Sequence, residues 1–146
     1  MARETRIMAG LVLTFDNYTD MELITKEVGL DPTRVRNKRD ARRNPFYGRE
    51  DVPDDWSGGE YLEGSWDLYT NYICTLDLRD VSAVLLEKIK PRVDTIKVVL
   101  EKYDGKAGFY VVPEIARNNI PSLLFDEDFI KIAAALKAPI EVDMYF

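Results

Sequence analysis

Residues 77–105 read DLRDVSAVLLEKIKPRVDTIKVVLEKYDG, and the fold is decided here. Leu78, Val81, Leu85, Ile89, Val93, Ile96, Leu100 and Tyr103 follow one another at steps of three or four, the spacing that keeps side chains on one face of an α-helix. An apolar stripe of that length must lie along something large. Asp77 can cap the start by accepting from backbone N–H groups that lack an intrahelical partner, and Gly105 suits the left-handed residue that ends such helices. Pro91 has no N–H and crowds the preceding turn, so a kink or break is expected near Lys90. The stripe continues in phase across it, which places both halves on the same sheet.

Outward from this stretch the period changes from helical to alternating. Ile7, Ala9, Leu11, Leu13 and Phe15 fall on one side of an extended run, with Met8, Gly10, Val12 and Thr14 on the other, as in a central strand. Thr19-Asp20-Met21-Glu22 reads as a capping box and Gly29 as the close of a short helix whose buried side is Met21, Ile24 and Val28. Trp66 and Leu68 alternate with Asp67 and Tyr69 in a second strand. Beyond Gly105, Ala107, Phe109 and Val111 alternate with Gly108, Tyr110 and Val112 until Pro113 ends the run. Asp126 caps a further helix with Phe129, Ile130, Ile132, Ala133 and Leu136 as its stripe, and Asp126, Glu127 and Asp128 suit the positive end of its dipole. Ile140, Val142, Met144 and Phe146 alternate with Glu141, Asp143 and Tyr145 in a half-buried final strand. These elements predict one α+β domain over residues 1–146. It is a two-layer sandwich, a mainly antiparallel sheet with helices on one face, ferredoxin-like with an added helix and strand.

Composition narrows the function. A chain of 146 residues can bury roughly 70% of its unfolded surface, so it needs no disulfide or metal to fold. The net charge of -6 disfavours nonspecific binding to nucleic acid or anionic lipid and suits a basic partner or a neutral ligand better. Cys74 is the only cysteine, which removes an internal disulfide and a cysteine-based zinc site and fits a cytoplasmic setting. It is expected to be a small, semi-buried apolar residue rather than a reactive thiol. Met1 to Arg6 is too short to act as a signal peptide, and no apolar run approaches the roughly 20 residues that span a bilayer. A soluble protein without membrane contact is expected.

Two segments stand apart. Arg34, Arg36, Lys38, Arg39, Arg42 and Arg43 form a basic run, either an edge strand whose cations discourage edge-to-edge pairing or an arm that binds an anion or docks a partner. Residues 44–64 carry Pro45, Pro53, Gly58 and Gly59 among many acids, with Phe46, Tyr47, Trp56 and Tyr61 interspersed. No helical or strand period survives there. A loop this long inside a domain tends to be functional, and its aromatics should fold part of it back on the domain.

Histidine is absent, which removes Ser-His-Asp and Cys-His nucleophile pairs and histidine-bound zinc. Gly105-Lys106-Ala107-Gly108 precedes a strand, whereas a phosphate-cradling loop follows one. Glu141 and Asp143 share one strand face and could hold a hard cation or divide acid and base roles, although solvated charges explain them as well. Strand parity offers more. If the apolar side of every strand faces the helices, the reverse collects Met8, Val12, Asp67, Tyr69, Tyr110, Val112, Glu141, Asp143 and Tyr145, an open aromatic surface of the kind that a loop, a second subunit or a ligand covers.

From Leu11 to Phe146 the chain also resembles the bacterial family called domain of unknown function 4279. The resemblance rests on Gly29-Leu30-Asp31-Pro32-Thr33, on Trp66 opening a strand, on Leu85 to Ile96 with Pro91 inside, and on the closing Ile140-Glu141-Val142-Asp143-Met144-Tyr145. It implies no activity and no catalytic residues, and the loop at 44–64 is longer than the family needs. The expectation is therefore a non-enzymatic binding protein that engages a protein partner, in the manner of an inhibitor or immunity protein, through the open sheet face and that loop. Its binding residues would be Arg34, Arg36, Lys38, Arg39, Trp56, Tyr69, Tyr110, Glu141, Asp143 and Tyr145, with no metal or cofactor; a homodimer is an alternative cover. The rival readings are a small anionic ligand held by the basic run at 34–43, and a metal-assisted hydrolase using Asp16, Glu141 and Asp143.

Overall fold

A computed structural model describes residues 4–17, 19–38 and 61–146. Its framework is β1 (Arg6–Phe15), in which Ile7, Ala9, Leu11, Leu13 and Phe15 are fully buried. The remaining strands are β2 (Arg34–Arg36), β3 (Gly64–Tyr69), β4 (Ile73–Cys74), β5 (Gly105–Glu114) and β6 (Ile140–Val142), ordered β2-β3-β1-β5-β6 with β4 paired to the start of β1. All pairs are antiparallel except β5 with β6. Helices α1 (Met21–Val28), α2 (Leu78–Ile89), α3 (Val93–Lys102) and α4 (Glu127–Ala135) supply the second layer. Strands β2, β3, β1 and β5 with α1 and the α2–α3 pair form the ferredoxin-like unit. Helix α4 and β6 are the addition.

The long helix breaks where expected. Lys90–Arg92, with Pro91 at its centre, is a single 3-10 turn between α2 and α3, and Leu78, Val81, Leu85, Ile89, Ile96 and Leu100 all reach the core on either side of it. Asp77 caps α2 through the Arg79 N–H, and Asp126 caps α4 through the Phe129 N–H. Met21, Ile24 and Val28 are buried under α1, and Gly29 ends it at φ 77°.

Several local expectations are corrected. The cap of α1 is Asp20, accepting from the Glu22 N–H, while the Thr19 hydroxyl turns back to the Asn17 carbonyl. Helix α3 ends with Asp104 in the left-handed conformation at φ 52°, so Gly105 is free to open β5; a methyl there would collide with the Phe15 ring. Cys74 is exposed on β4, a two-residue strand too short to leave a period. Ile130 is also largely exposed.

The last strand is shorter than its alternation implies. The Asp143 N–H donates to the Val111 carbonyl and the Tyr145 N–H to the Pro113 carbonyl, both at 2.9 Å, while the Ile115 N–H donates to the Tyr145 carbonyl at 2.7 Å. Between them Pro113 has no N–H to offer Asp143, so one rung is missing and regular pairing stops at Val142. Met144 and Phe146 are exposed, not half-buried. Among the described residues no helix is long and apolar enough to cross a membrane.

Because the Phe15 ring occupies the space beside Gly105, Gly105→Ala should overpack the junction of α3 and β5, costing about 1–3 kcal/mol. A thermal midpoint roughly 3–10 °C lower is expected by calorimetry; an unchanged midpoint would show that Phe15 can move aside.

Candidate functional site

The helices cover one face of the sheet, and none of the described helices lies on the reverse. On that reverse face, register places side chains in rows across the strands. Tyr69, Gly10, Tyr110 and Glu141 are consecutive partners in one row, and Arg34, Asp67, Val12 and Gly108 in the next. Tyr145 bridges to Glu114 further along. With Met8 opposite Val112, register places eight of the nine residues assigned to the reverse face by parity there, and Asp143 follows just past the end of β6.

Gly10 determines the relief of this surface. A side chain there would overlap the Tyr69 ring, so the ring lies across the strand instead of standing on it. The Tyr110 ring leans back over Gly108, where a Cβ would sit 3.5 Å from Cε2. Val12, opposite Gly108 in the register, keeps only 8% of its surface exposed. Burial pushes the Tyr69 phenol above its ordinary pKa and Asp67 adds to the shift. Tyr110 is raised by burial first, then by the charges of Glu141, Asp143, Glu63 and Asp67. Glu141 and Asp143 are exposed, and Tyr145 is 60% exposed.

Asp67 behaves differently from the other acids. It is 1% exposed and accepts from Arg34 Nε at 3.1 Å and Nη2 at 2.9 Å, as well as from the Ser65 hydroxyl. Arg34 is thus committed to a strand neighbour. Arg36 lies over the Tyr61 ring, 4.9 Å from its centroid, and Lys38 donates to the Asp16 carbonyl at 2.6 Å. Arg39, Trp56 and most of the loop at 44–64 lie outside the described residues.

A second cluster on the same face was not singled out from the sequence. Arg6 Nε donates to Glu114 Oε2 at 2.6 Å, and its guanidinium sits 4.3 Å from the centroid of the Tyr72 ring. Arg6 holds the Glu114 carboxyl below the usual range, while burial and then the bond to Glu114 raise Tyr72. The available signal is parity: Arg6 and Glu114 occupy even-numbered positions of β1 and β5. Asp16 does not join Glu141. Glu141 aligns with Gly10, and Asp16 lies six residue steps further along the chain, just past the end of β1, about 20 Å away at the rise of a strand. Among the described residues no three metal-binding side chains gather.

Together the fold and this surface define a ferredoxin-like α+β domain with an added α4–β6 unit and a tyrosine face free of the described helices. The chain belongs to the family described as Domain of unknown function (DUF4279), whose model matches residues 4–146. No curated protein and no solved structure matches it.

The raised phenols give a pH test with a definite sign. Folding favours neutral Tyr69 and Tyr110, so their stabilising contribution is complete below the ordinary tyrosine pKa near 10 and is lost as pH rises through the folded values. Tyrosinate absorbance should show a late-titrating component that shrinks in Tyr110→Phe; an unaltered curve in that variant would contradict the burial of this ring.

Proposed function

We propose that the protein is a non-enzymatic binding module whose helix-free face receives a protein partner with a basic rim. Tyr69 and Tyr110 offer broad, low aromatic area with little rotamer freedom to lose, the residue type that anchors interfaces. The exposed carboxylates of Glu141 and Asp143 lie beside them, and they would steer a cationic surface toward the tyrosines. The single observation carrying this reading is the row in which Tyr69 lies over Gly10 next to Tyr110 and Glu141. An inhibitor or immunity-type role is one form such a module takes, by analogy alone.

A second copy is the weaker occupant, since two identical faces would bring Glu141 and Asp143 near their own duplicates. The anion-binding alternative also has less support. Arg34 and Lys38 spend their donors on Asp67 and on the Asp16 carbonyl.

A photo-crosslinking residue placed at Val112, on the helix-free face, should trap a discrete protein in lysate of the native host, while the same residue at the exposed helix position Val98 should not. Tyr69→Ser with Tyr110→Ser should reduce the yield at least tenfold, and 0.5 M salt should reduce it further. Equal trapping from both positions, or none from Val112, would refute a partner on this face.

A further inference from the structure

Strand β5 is paired along its whole length with β1, from Gly105 opposite Phe15 to Glu114 opposite Arg6. Its other edge is only partly covered. The Phe109 N–H donates to the Pro139 carbonyl at 2.9 Å, and pairing with β6 starts at Ile140. Before that point α4 closes with the Lys137 and Ala138 N–H groups bonded back to its own last turn, and Lys137 has φ 51°. The chain therefore reaches β5 late. Since backbone groups alternate sides along a strand, the N–H and C=O of Ala107 point the same way as those of Phe109, toward an edge where none of the described strands runs.

That edge opens into a cavity of about 530 Å³, within the size range of ligand sites. Val12 and Tyr110 line it from the helix-free side and Leu100 and Leu136 from the helical side. Ala107 itself lines the cavity, and strand backbone groups are nearly always hydrogen-bonded. An N–H and a C=O side by side are the complement of another peptide group. Lys97, Lys106 and Lys137 also line the cavity, against Glu101 and Asp104. None of the three lysines forms an ion pair among the described residues. On a chain of net charge -6 this is a local surplus of positive charge. Lysines beside a strand edge repel an identical edge and admit an acidic one.

We propose that the bare edge of β5 at Gly105–Gly108 is a strand-addition site for an extended acidic peptide. One residue of the peptide exchanges backbone hydrogen bonds with Ala107, and a neighbouring carboxylate reaches Lys97 or Lys137. The site meets the helix-free face at Tyr110 but does not rest on the binding role given to that face.

The test is an NMR titration of the ¹⁵N-labelled full chain with acetyl-Val-Glu-Val-Glu-Val-amide. The amides of Gly105 to Gly108 should shift saturably and the Ala107 N–H should exchange more slowly. Ala107→Pro should weaken binding roughly tenfold by removing the donor. Pro113 already occupies the same strand with its nitrogen facing the same edge, so the fold accommodates proline in this register. Lys97→Glu with Lys137→Glu, both at exposed positions, provides an independent variant with a similar loss expected, and the glutamine counterpart of the peptide should bind more weakly. The proposal is overturned if the acidic peptide leaves these amides unmoved, if Ala107→Pro binds as well as the parent, or if acetate alone reproduces the shifts. Shifts that grow with protein concentration without peptide would assign the edge to a second copy and overturn it equally.

Discussion

Burial of one face of β1 places every other element. Its backbone is hydrogen-bonded to strands on both sides, and its five odd-numbered side chains from Ile7 to Phe15 are sealed under the helices. A shift of one residue would exchange the two faces completely, exposing Leu11, Leu13 and Phe15 and burying Arg6 and Thr14. The register is therefore strongly specified. Once it is set, pairing carries the same parity to Trp66 and Leu68 on β3 and to Phe109 and Val111 on β5. The chemistry of the reverse face follows as a geometric consequence.

Position within the sheet then divides acids of equal parity into different states. Asp67 lies on an interior strand with β2 alongside, where the Arg34 fork can reach it, and Ser65 shares its side of β3. A buried charge persists only when it is paired and hydrogen-bonded, and Asp67 has both. Glu141 on the outermost strand and Asp143 just past its end have no cationic partner among the described residues and remain in solvent. Their field still acts inward, since it contributes to the raised phenol of Tyr110. The same face thus holds two acids that fasten strands together, Asp67 to Arg34 and Glu114 to Arg6, and two that present charge outward. Gly10 and Gly108 keep the relief between them low.

Much of this was legible because periodicity reports burial. The stripe from Leu78 to Tyr103 gave the long helix and its break at Pro91, and alternation in β1, β3 and β5 gave both faces of the sheet. What escaped depends on partners distant in sequence. Nothing local distinguishes Asp67 from Asp143, since the difference lies in Arg34 across a strand pair. Gly105 carries the mark of a helix end, yet Asp104 supplies the left-handed turn and Gly105 instead makes room for Phe15. The alternation of Ile140 to Phe146 is complete as a pattern, but its burial stops where Pro113, on another strand, withholds a donor. Strand β4 is too short to leave a period, and in the Arg6–Glu114–Tyr72 cluster only the parity of Arg6 and Glu114 is visible locally.

The two sides of the sheet solve the problem of an exposed edge differently. At β2 the strand is three residues long and its arginines turn onto the helix-free face, where Arg34 is tied to Asp67, so little unpaired backbone is presented. At β5 the added α4–β6 unit covers the C-terminal half of the edge. It cannot cover the first half, because the left-handed step at Lys137 and the short connection through Ala138 and Pro139 bring β6 alongside only from Phe109 onward. A longer connection or an earlier start to β6 would have closed the ladder over Ala107. Instead the gap lies between two apolar walls with lysines around it, an arrangement that discourages homotypic pairing through charge yet leaves a peptide-sized space with a donor and an acceptor already aligned. Preorganised backbone of this kind lowers the ordering cost of binding, which makes the β5 edge a more specific feature of this domain than the acidity of its surface.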